Sequence, residues 1–184
     1  MGVRVLIVGE SHYIKPGEVY TVAEQRRFTA DVVRDWGAEA TESHRFFSRV
    51  YRAFNEETAG PSSAAFRDFW NSLFFYNYVQ TFVLEGERPT DRMFADSSSA
   101  FHGVLDEIAP EAVVVMSAET WKHMGNQNGE FLYHAPDALG DVWSYRHKKG
   151  QCMAAHTHHP SRFSPNRWRP RILAFLNDVR EFHT

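Results

Sequence analysis

Residues 3–13 have the sequence VRVLIVGESHY, in which an apolar run is followed directly by a cluster of polar side chains. The apolar part is mostly β-branched, which is typical of a strand buried on both faces of a parallel sheet. Gly9 allows a sharp turn, because a residue without a Cβ accepts positive φ angles. Ligands of open α/β sheets bind at the carboxyl ends of the strands. We therefore expect residues 10–13 to belong to a functional site; the alternative is a polar strand-to-helix turn without a chemical role.

Three more apolar runs are predicted to be strands. They cover residues 73–79, 112–116 and 152–155; the first contains Asn77, and the last leads into the histidine-rich residues 156–161. Asparagine is depleted in strands, and a buried amide must find hydrogen-bond partners. Asn77 is therefore either satisfied by neighbouring backbone or offered to a ligand at the end of its strand.

Apolar side chains at helical spacing lie between the predicted strands. They predict helices over residues 21–36, 43–54, 63–71, 90–109 and 117–125, and a last helix that begins at Ser164-Pro165. Residues 126–140, rich in Gly and Asn, are expected to be irregular, and residues 142–145 to form a short extra strand. Strands that alternate with helices favour a parallel sheet covered on both faces. We predict an α/β fold of three α/β/α layers around a central four-stranded parallel sheet, in a single domain over residues 1–184.

The composition excludes several classes of protein. The chain has one cysteine, Cys152, which excludes an internal disulfide and any metal or iron–sulfur site built from cysteines alone. No apolar stretch reaches the roughly 18–20 residues of a membrane span. The first residues run straight into a strand pattern and lack the features of a signal peptide. We expect a cytoplasmic monomer without membrane contact.

Positive charge is concentrated in the C-terminal third of a chain whose net charge is −3. No Asp or Glu lies between Val142 and Asn177, and the rest of the chain therefore carries a net charge of −10. Such segregation is typical of a phosphate-binding face, although a solvated basic helix is the alternative. The seven basic residues of this stretch are Arg146, Lys148, Lys149, Arg162, Arg167, Arg169 and Arg171.

Three short motifs follow predicted strands in a fixed order. They are Gly9-Glu10-Ser11-His12-Tyr13, Tyr76-Asn77-Tyr78-Val79 and His159-Pro160-Ser161, and together they resemble the three motifs of the uracil-DNA glycosylase superfamily. Residues 110–124 are also similar to the strand and helix that precede the last motif, so the resemblance covers most of the chain. It implies a four-stranded parallel sheet that binds DNA across its strand ends and flips one nucleotide into a pocket.

The resemblance implies an enzyme of base excision and DNA repair. Its expected activity is that of a monofunctional DNA glycosylase, which hydrolyses the N-glycosidic bond of uracil or a related deaminated or modified base without a metal or other cofactor. Glu10 would lie near the attacking water or the cationic sugar, and His159 would bind the base oxygen as negative charge develops on it. Asn77 would read the base edge, because its amide presents a donor and an acceptor together and matches the N3–H and O4 of uracil.

The same resemblance assigns supporting roles. Tyr13 matches a tyrosine that guards the pocket against a 5-methyl group, and Tyr20 is a candidate stacking partner of the base, with core packing as its alternative. Ser161 would hold a phosphate. The loop that enters the duplex would come from Arg162 and Phe163, with Arg167 in the basic stretch beside it.

The chain departs from the family patterns in its first motif. Ser11 stands where one branch has an essential aspartate, and His12 replaces the usual proline; both residues are expected to contribute to the pocket. Branches with the Gly-Glu motif usually carry a four-cysteine cluster that this chain cannot form. These departures indicate an outlying branch whose base need not be uracil.

Two other functions stay open at this point. A catalytically silent nucleic-acid- or nucleotide-binding module would use the same fold, because fold does not determine function. A metal-dependent hydrolase would use His156 and His158, which alternate along a strand and so share a face, together with Glu10 or His12.

Overall fold

A mostly parallel sheet forms the centre of this computed structural model, which describes residues 2–56, 59–124, 128–162 and 164–184. The strands are β1 (Val5–Gly9), β2 (Tyr13–Ile14), β3 (Phe74–Asn77), β4 (Val83–Leu84), β5 (Ala112–Val115), β6 (Gly129–Ala135), β7 (Gly140–His147) and β8 (Gly150–His156). The central sheet has the order β3-β1-β5-β8-β7-β6, and β2 pairs with β4 in a separate two-stranded sheet.

Helices cover the sheet. They are α1 (Val22–Val33), α2 (Arg45–Phe54), α3 (Ala64–Asn71), α4 (Asp91–Ile108), α5 (Ala118–Met124) and α6 (Pro165–Phe182), with a π-helical turn at Arg34–Ala38 and a 3₁₀ turn at Pro160–Arg162. Side-chain caps fix several helix starts; at α1, for example, the Thr21 hydroxyl accepts from the Glu24 backbone N–H and the Glu24 carboxylate accepts from the Thr21 backbone N–H. No helix in the described part of the chain is both long and apolar enough to cross a membrane.

The predicted α/β class and the largely parallel sheet are confirmed, but the predicted strand number is wrong. Strands β3, β1, β5 and β8 are parallel, and β7 and β6 extend the sheet as an antiparallel hairpin to give six strands. The segment 126–140 was expected to be irregular, yet it contains β6. This edge strand is half-exposed along its length, so it lacks the apolar run that marks the central strands.

Alternate residues of β1 point into two hydrophobic clusters, one on each face of the sheet. Val5 and Ile7 pack with side chains of α2, α3 and α6. Leu6 and Val8 pack with side chains of α4 and α5. All four side chains are completely buried, which explains why β1 is apolar on both faces.

The parallel strands place their carboxyl ends along one edge of the sheet. Gly9 at the end of β1 is in register with Asn77 at the end of β3, and Val115 at the end of β5 is in register with His156 at the end of β8. The residues that follow these four strands therefore lie close together, although they are far apart in the sequence.

Candidate functional site

A cavity of about 260 Å³ opens beside the carboxyl ends of β1 and β3. Its lining includes Glu10, Asn77 and His159, so the structure brings together the acid, the amide and the imidazole predicted from the sequence. Ser11 and His12, the other two expected pocket residues, line the same cavity. The remaining lining is largely aromatic and comes from Tyr13, α1, the π-helical turn, α2 and β3.

Glu10 is almost fully buried, and its carboxylate has three partners. The Tyr13 hydroxyl donates to Oε1 at 2.9 Å, and the Ser117 hydroxyl donates to Oε2 at 2.8 Å. The Arg88 guanidinium lies 3.2 Å from the same Oε2 and forms an ion pair with it. A buried charge needs such partners, because unpaired it would carry a large desolvation cost. These contacts hold the carboxylate in a fixed orientation.

Arg88 and Ser117 are site residues that the sequence analysis did not predict. Ser117 comes just after β5, so the rule that ligands bind at strand ends would have found it. No local pattern marks Arg88, which lies in the loop before α4 and reaches Glu10 only through the fold.

The side-chain oxygen of Asn77 lies unusually close to Gly9. A Cβ added at Gly9 would lie 2.1 Å from Oδ1 of Asn77, so a side chain at residue 9 would displace the amide. On its other side, Nδ2 of Asn77 lies 3.0 Å from Nδ1 of His12, and Nε2 of His12 lies 2.7 Å from Oγ1 of Thr29. The sequence left open whether this amide bonds within the protein or to a ligand. In the structure one of its N–H groups is bonded to His12, and the residue also lines the cavity.

The His12 imidazole is neutral at physiological pH. Burial lowers its pKa to about 4, because the charged form would be poorly solvated there. Nδ2 of Asn77 also lies 3.2 Å from Nε2 of His12, and the tautomer that satisfies the two shorter contacts accepts from the Asn77 amide at Nδ1 and donates from Nε2 to the Thr29 hydroxyl. His12 thus fixes which way the Asn77 amide faces.

His159 follows β8 and stands at the opposite side of the cavity. Its Nδ1 accepts from the Ser161 backbone N–H at 3.2 Å and lies 2.8 Å from the Ser161 hydroxyl. Burial lowers the pKa of His159, and the opposing effect of the Glu10 carboxylate is partly offset by Arg88 and Arg162. A neutral ring that accepts at Nδ1 carries its proton on Nε2, which makes that atom a hydrogen-bond donor.

A polar groove of about 600 Å³ adjoins the cavity. Glu10, Tyr13 and His159 line both spaces, whereas Arg88 and Arg162 line the groove alone, together with the predicted phosphate ligand Ser161. Burial beside the Glu10 carboxylate raises the pKa of Tyr13, so its hydroxyl stays protonated and donates to that carboxylate. The groove lining also contains Glu87 and Glu119, so a polar group in the groove and an aromatic ring in the cavity would be joined next to Glu10.

The basic stretch, which was expected to form one phosphate-binding face, is instead divided between the two ends of β8. Arg162 and the exposed Arg167 lie after the strand, and Arg162 lines the groove. Lys148 and Lys149 lie at the turn before the strand, about 20 Å away along its seven residues. Lys148 is also paired with Asp106 at 3.2 Å.

Helix α2 places two further arginines near the site, and the charge pattern of the sequence did not reveal them. Arg49 donates to the backbone carbonyl of Pro160 at 2.7 Å, and so supports the loop that carries His159 and Arg162. Arg45, in the first turn of the same helix, is exposed next to lining residues of the cavity.

Tyr20, another predicted site residue, is not part of the cavity. Tyr20 lies outside its lining and packs edge-to-face against Phe28, with ring centroids 5.2 Å apart. Phe28, which Tyr20 contacts, lines the cavity and provides aromatic surface there, whereas a stacking role of Tyr20 on a base stays a prediction. Phe163 lies outside the described residues.

The histidines of the metal-dependent alternative point to different layers. His156 stacks on Trp121 with centroids 5.2 Å apart, whereas His158 lies against Trp168. These tryptophans belong to the hydrophobic clusters on opposite faces of the sheet. The two rings therefore do not share a face, and no group of three His, Cys, Asp or Glu residues in the described ranges has an arrangement that could hold a metal ion.

Neither the models of known protein families nor the curated proteins include a match to this chain. Its chemistry must therefore be inferred from the geometry of the site. That geometry combines a buried carboxylate, an amide with a fixed orientation and a neutral imidazole around one aromatic cavity, with arginines at the adjoining groove.

Proposed function

We propose that the protein is a DNA glycosylase related to the uracil-DNA glycosylase superfamily, and that it hydrolyses the N-glycosidic bond of a base flipped into the cavity. One observation carries this proposal: Glu10, Asn77 and His159, which lie far apart in the sequence, line a single cavity beside a polar, arginine-lined groove. The base would occupy the cavity, and the sugar and phosphates would lie in the groove.

Glu10 would act on the sugar. As the N-glycosidic bond breaks, positive charge develops on the sugar and the bond's electron pair leaves with the base. Glu10 lies where the cavity meets the groove, so its carboxylate would face that sugar and either stabilise the cation or orient the attacking water. The water's oxygen bonds to the anomeric carbon, and one of its two protons passes through the Glu10 carboxylate or solvent to the departing base anion. Tyr13, Ser117 and Arg88 keep the carboxylate in place.

His159 and Asn77 would act on the base. The N–H at Nε2 of His159 would donate to a base oxygen as negative charge develops on it, without the cost of reorienting solvent. Asn77 has one N–H on His12, and its other N–H and its Oδ1 remain for a base edge with an adjacent C=O and N–H. Cytosine presents the reverse pattern and would be rejected.

DNA binding would come from the rim of the site. Extruding a base costs a few kcal/mol, which stacking in an aromatic cavity and edge contacts return. Arg162 and Arg167 would contact phosphates beside the flipped nucleotide, and the whole protein would bind as a monomer without a cofactor. Such phosphate contacts would fix the position of the protein along the DNA, but they do not distinguish one base from another.

Base release from synthetic oligonucleotides tests this function. Single- and double-stranded DNA with one uracil, hypoxanthine, xanthine or modified pyrimidine is incubated with the protein, and abasic sites are cleaved with alkali. Glu10→Gln, Asn77→Ala and His159→Ala should each lower the rate about 100-fold or more. The matched control, Glu130→Gln on the exposed edge strand β6, should leave the rate unchanged.

Two results would count against the proposal. Unchanged rates in all three folded site variants would reject the residue assignment. Oligonucleotide binding by the wild-type protein without release of any base would instead indicate a catalytically silent binding module.

A further inference from the structure

Much of the cavity lining is apolar or aromatic. We name this part, lined by Phe28, Val32, Trp36, Phe46 and Phe75, the aromatic chamber. Phe75 lies two residues before Asn77 on β3, so both side chains are on the same face of the sheet. The chamber thus begins beside the amide that we propose reads the base edge.

The chamber presents aromatic faces to its contents. His44, which also lines the cavity, stacks on Trp36 with ring centroids 4.2 Å apart. Its Nδ1 accepts from the Phe46 backbone N–H at 3.3 Å and caps α2, so this nitrogen is already used. Burial also lowers the pKa of His44 and favours a neutral ring. A bound group in the chamber would therefore be apolar or aromatic.

The size of the cavity and the apolar nature of its lining bear on the size of the base. The cavity measures about 260 Å³, close to the lower end of the roughly 300–1,000 Å³ of pockets that enclose drug-sized ligands. Each methylene-sized group that fills apolar space strengthens binding about fourfold. A bare uracil held against Asn77 carries no substituent that could enter the chamber, whereas an enlarged base would gain this contribution to binding.

Tyr13 does not close the chamber. Its side chain is 41% exposed, and its hydroxyl is held by Glu10 where the cavity meets the groove. The tyrosine that resembles the family's guard against a 5-methyl group is thus tied to the mouth of the cavity.

We propose that the base accepted by this site is larger than uracil. It would present a C=O next to an N–H to Asn77, as uracil does, and place additional apolar or aromatic bulk in the aromatic chamber. Two kinds of base would provide this bulk: a purine such as hypoxanthine, through its second ring, or a uracil with an apolar substituent at C5. This inference rests on the proposed glycosylase function.

Single-turnover base release tests it directly. Oligonucleotides that contain uracil, 5-propynyluracil or hypoxanthine are compared at saturating protein. At least one enlarged base should be released about tenfold faster than uracil, and the faster of the two identifies the source of the bulk. Release of uracil as fast as both enlarged bases would overturn the inference and leave the glycosylase function standing.

Binding of free bases separates the two proposals when no base is released. Tryptophan fluorescence is titrated with uracil, 5-propynyluracil and hypoxanthine, because Trp36 lines the chamber. An enlarged base that binds about tenfold more tightly than uracil, without catalysis, would overturn the glycosylase function but support the size preference. Equal or absent binding would overturn both.

A chamber-filling substitution gives a second test. Val32→Phe should reduce the preference for the enlarged base about tenfold, whereas Ala30→Phe adds the same bulk on the exposed side of α1 and should not change it. Thermal melting checks that both variants fold, and Val32→Met makes the same test with a smaller change. A preference that survives in folded Val32 variants would contradict the role of the chamber.

Discussion

Gly9 is required by the position of Asn77 rather than by its own backbone. In Gly9→Ala the new Cβ would lie 2.1 Å from Oδ1 of Asn77, so the amide must move. We expect this variant to lose about 1–3 kcal/mol of unfolding free energy through overpacking and to lose base recognition as well. Urea unfolding and the base-release assay measure the two effects.

Gly103 offers a matched control for that substitution. It lies in α4, and a Cβ added there would meet nothing within 4 Å. Gly103→Ala should therefore stabilise the protein by roughly 0.5–1 kcal/mol, because alanine favours a helix more than glycine does. If both variants behaved alike, the close contact between Gly9 and Asn77 would not be the cause.

His12 should make stability depend on pH. Its pKa is about 4 in the folded protein, against 6.5 in the unfolded chain, so the unfolded state binds more protons between these values. The contribution of His12 is therefore complete above pH 6.5 and is lost as the pH falls to 4, by up to about 3 kcal/mol. His12→Gln should show a smaller loss over this window in urea unfolding at pH 7 and 4.5. Equal losses in both proteins would contradict the buried, neutral state.

At the scale of the element, α1 is the most weakly anchored wall of the site. None of its residues is buried, although Phe28 and Val32 line the cavity, whereas α4 buries Phe94, Phe101 and Leu105. A helix with little buried surface opens at lower free energy. We expect backbone amides of α1 to exchange with deuterium at least about tenfold faster than those of α4, and to slow when the cavity is filled.

Hydrogen-exchange mass spectrometry measures this difference between helices. The capping box at Thr21 stabilises the first turn of α1, so the comparison is made over its central residues. Equal protection of the two helices would show that α1 is anchored by more than the contacts described above.

The elements that could be predicted from sequence are those whose patterns are local. Strand β1 was predicted because a strand buried on both faces must be apolar throughout, and the start of α6 because Pro165 fits a first helical position. Strand β6 was not, because an edge strand is stabilised mainly by its pairing with β7, which no local pattern reveals. The π-helical turn was not predicted either, because its first residues were assigned to the predicted helix 21–36.

At the scale of the molecule, the fold determines which basic side chains lie near the site, and closeness in the sequence does not. Arg162→Ala or Arg167→Ala should weaken DNA binding similarly for all sequences and reduce the slope of log affinity against log salt by about 1. Lys149→Ala removes the same charge at the far end of β8 and should leave the slope unchanged. Fluorescence anisotropy at several salt concentrations measures all three, and equal effects would place the DNA on a different face.

The convergence of the site was predictable, but its internal contacts were not. Parallel strands bring their carboxyl ends together, so Glu10, Asn77 and His159 were expected to meet from their places after strands. The partners that orient them come from elsewhere: Arg88 from a loop and Thr29 from α1. The same limit applies to Tyr20, whose distance from the first motif did not reveal that it lies outside the cavity lining.

The close contact between Gly9 and Asn77 also has an evolutionary consequence. Two positions 68 residues apart in the sequence share one small volume, so neither can change freely while the other stays the same. Relatives of this chain that keep an amide at position 77 should keep glycine at position 9, and those with a smaller side chain at 77 are released from that requirement. Covariation between positions 9 and 77 in an alignment of relatives would therefore identify which of them retain the same recognition chemistry.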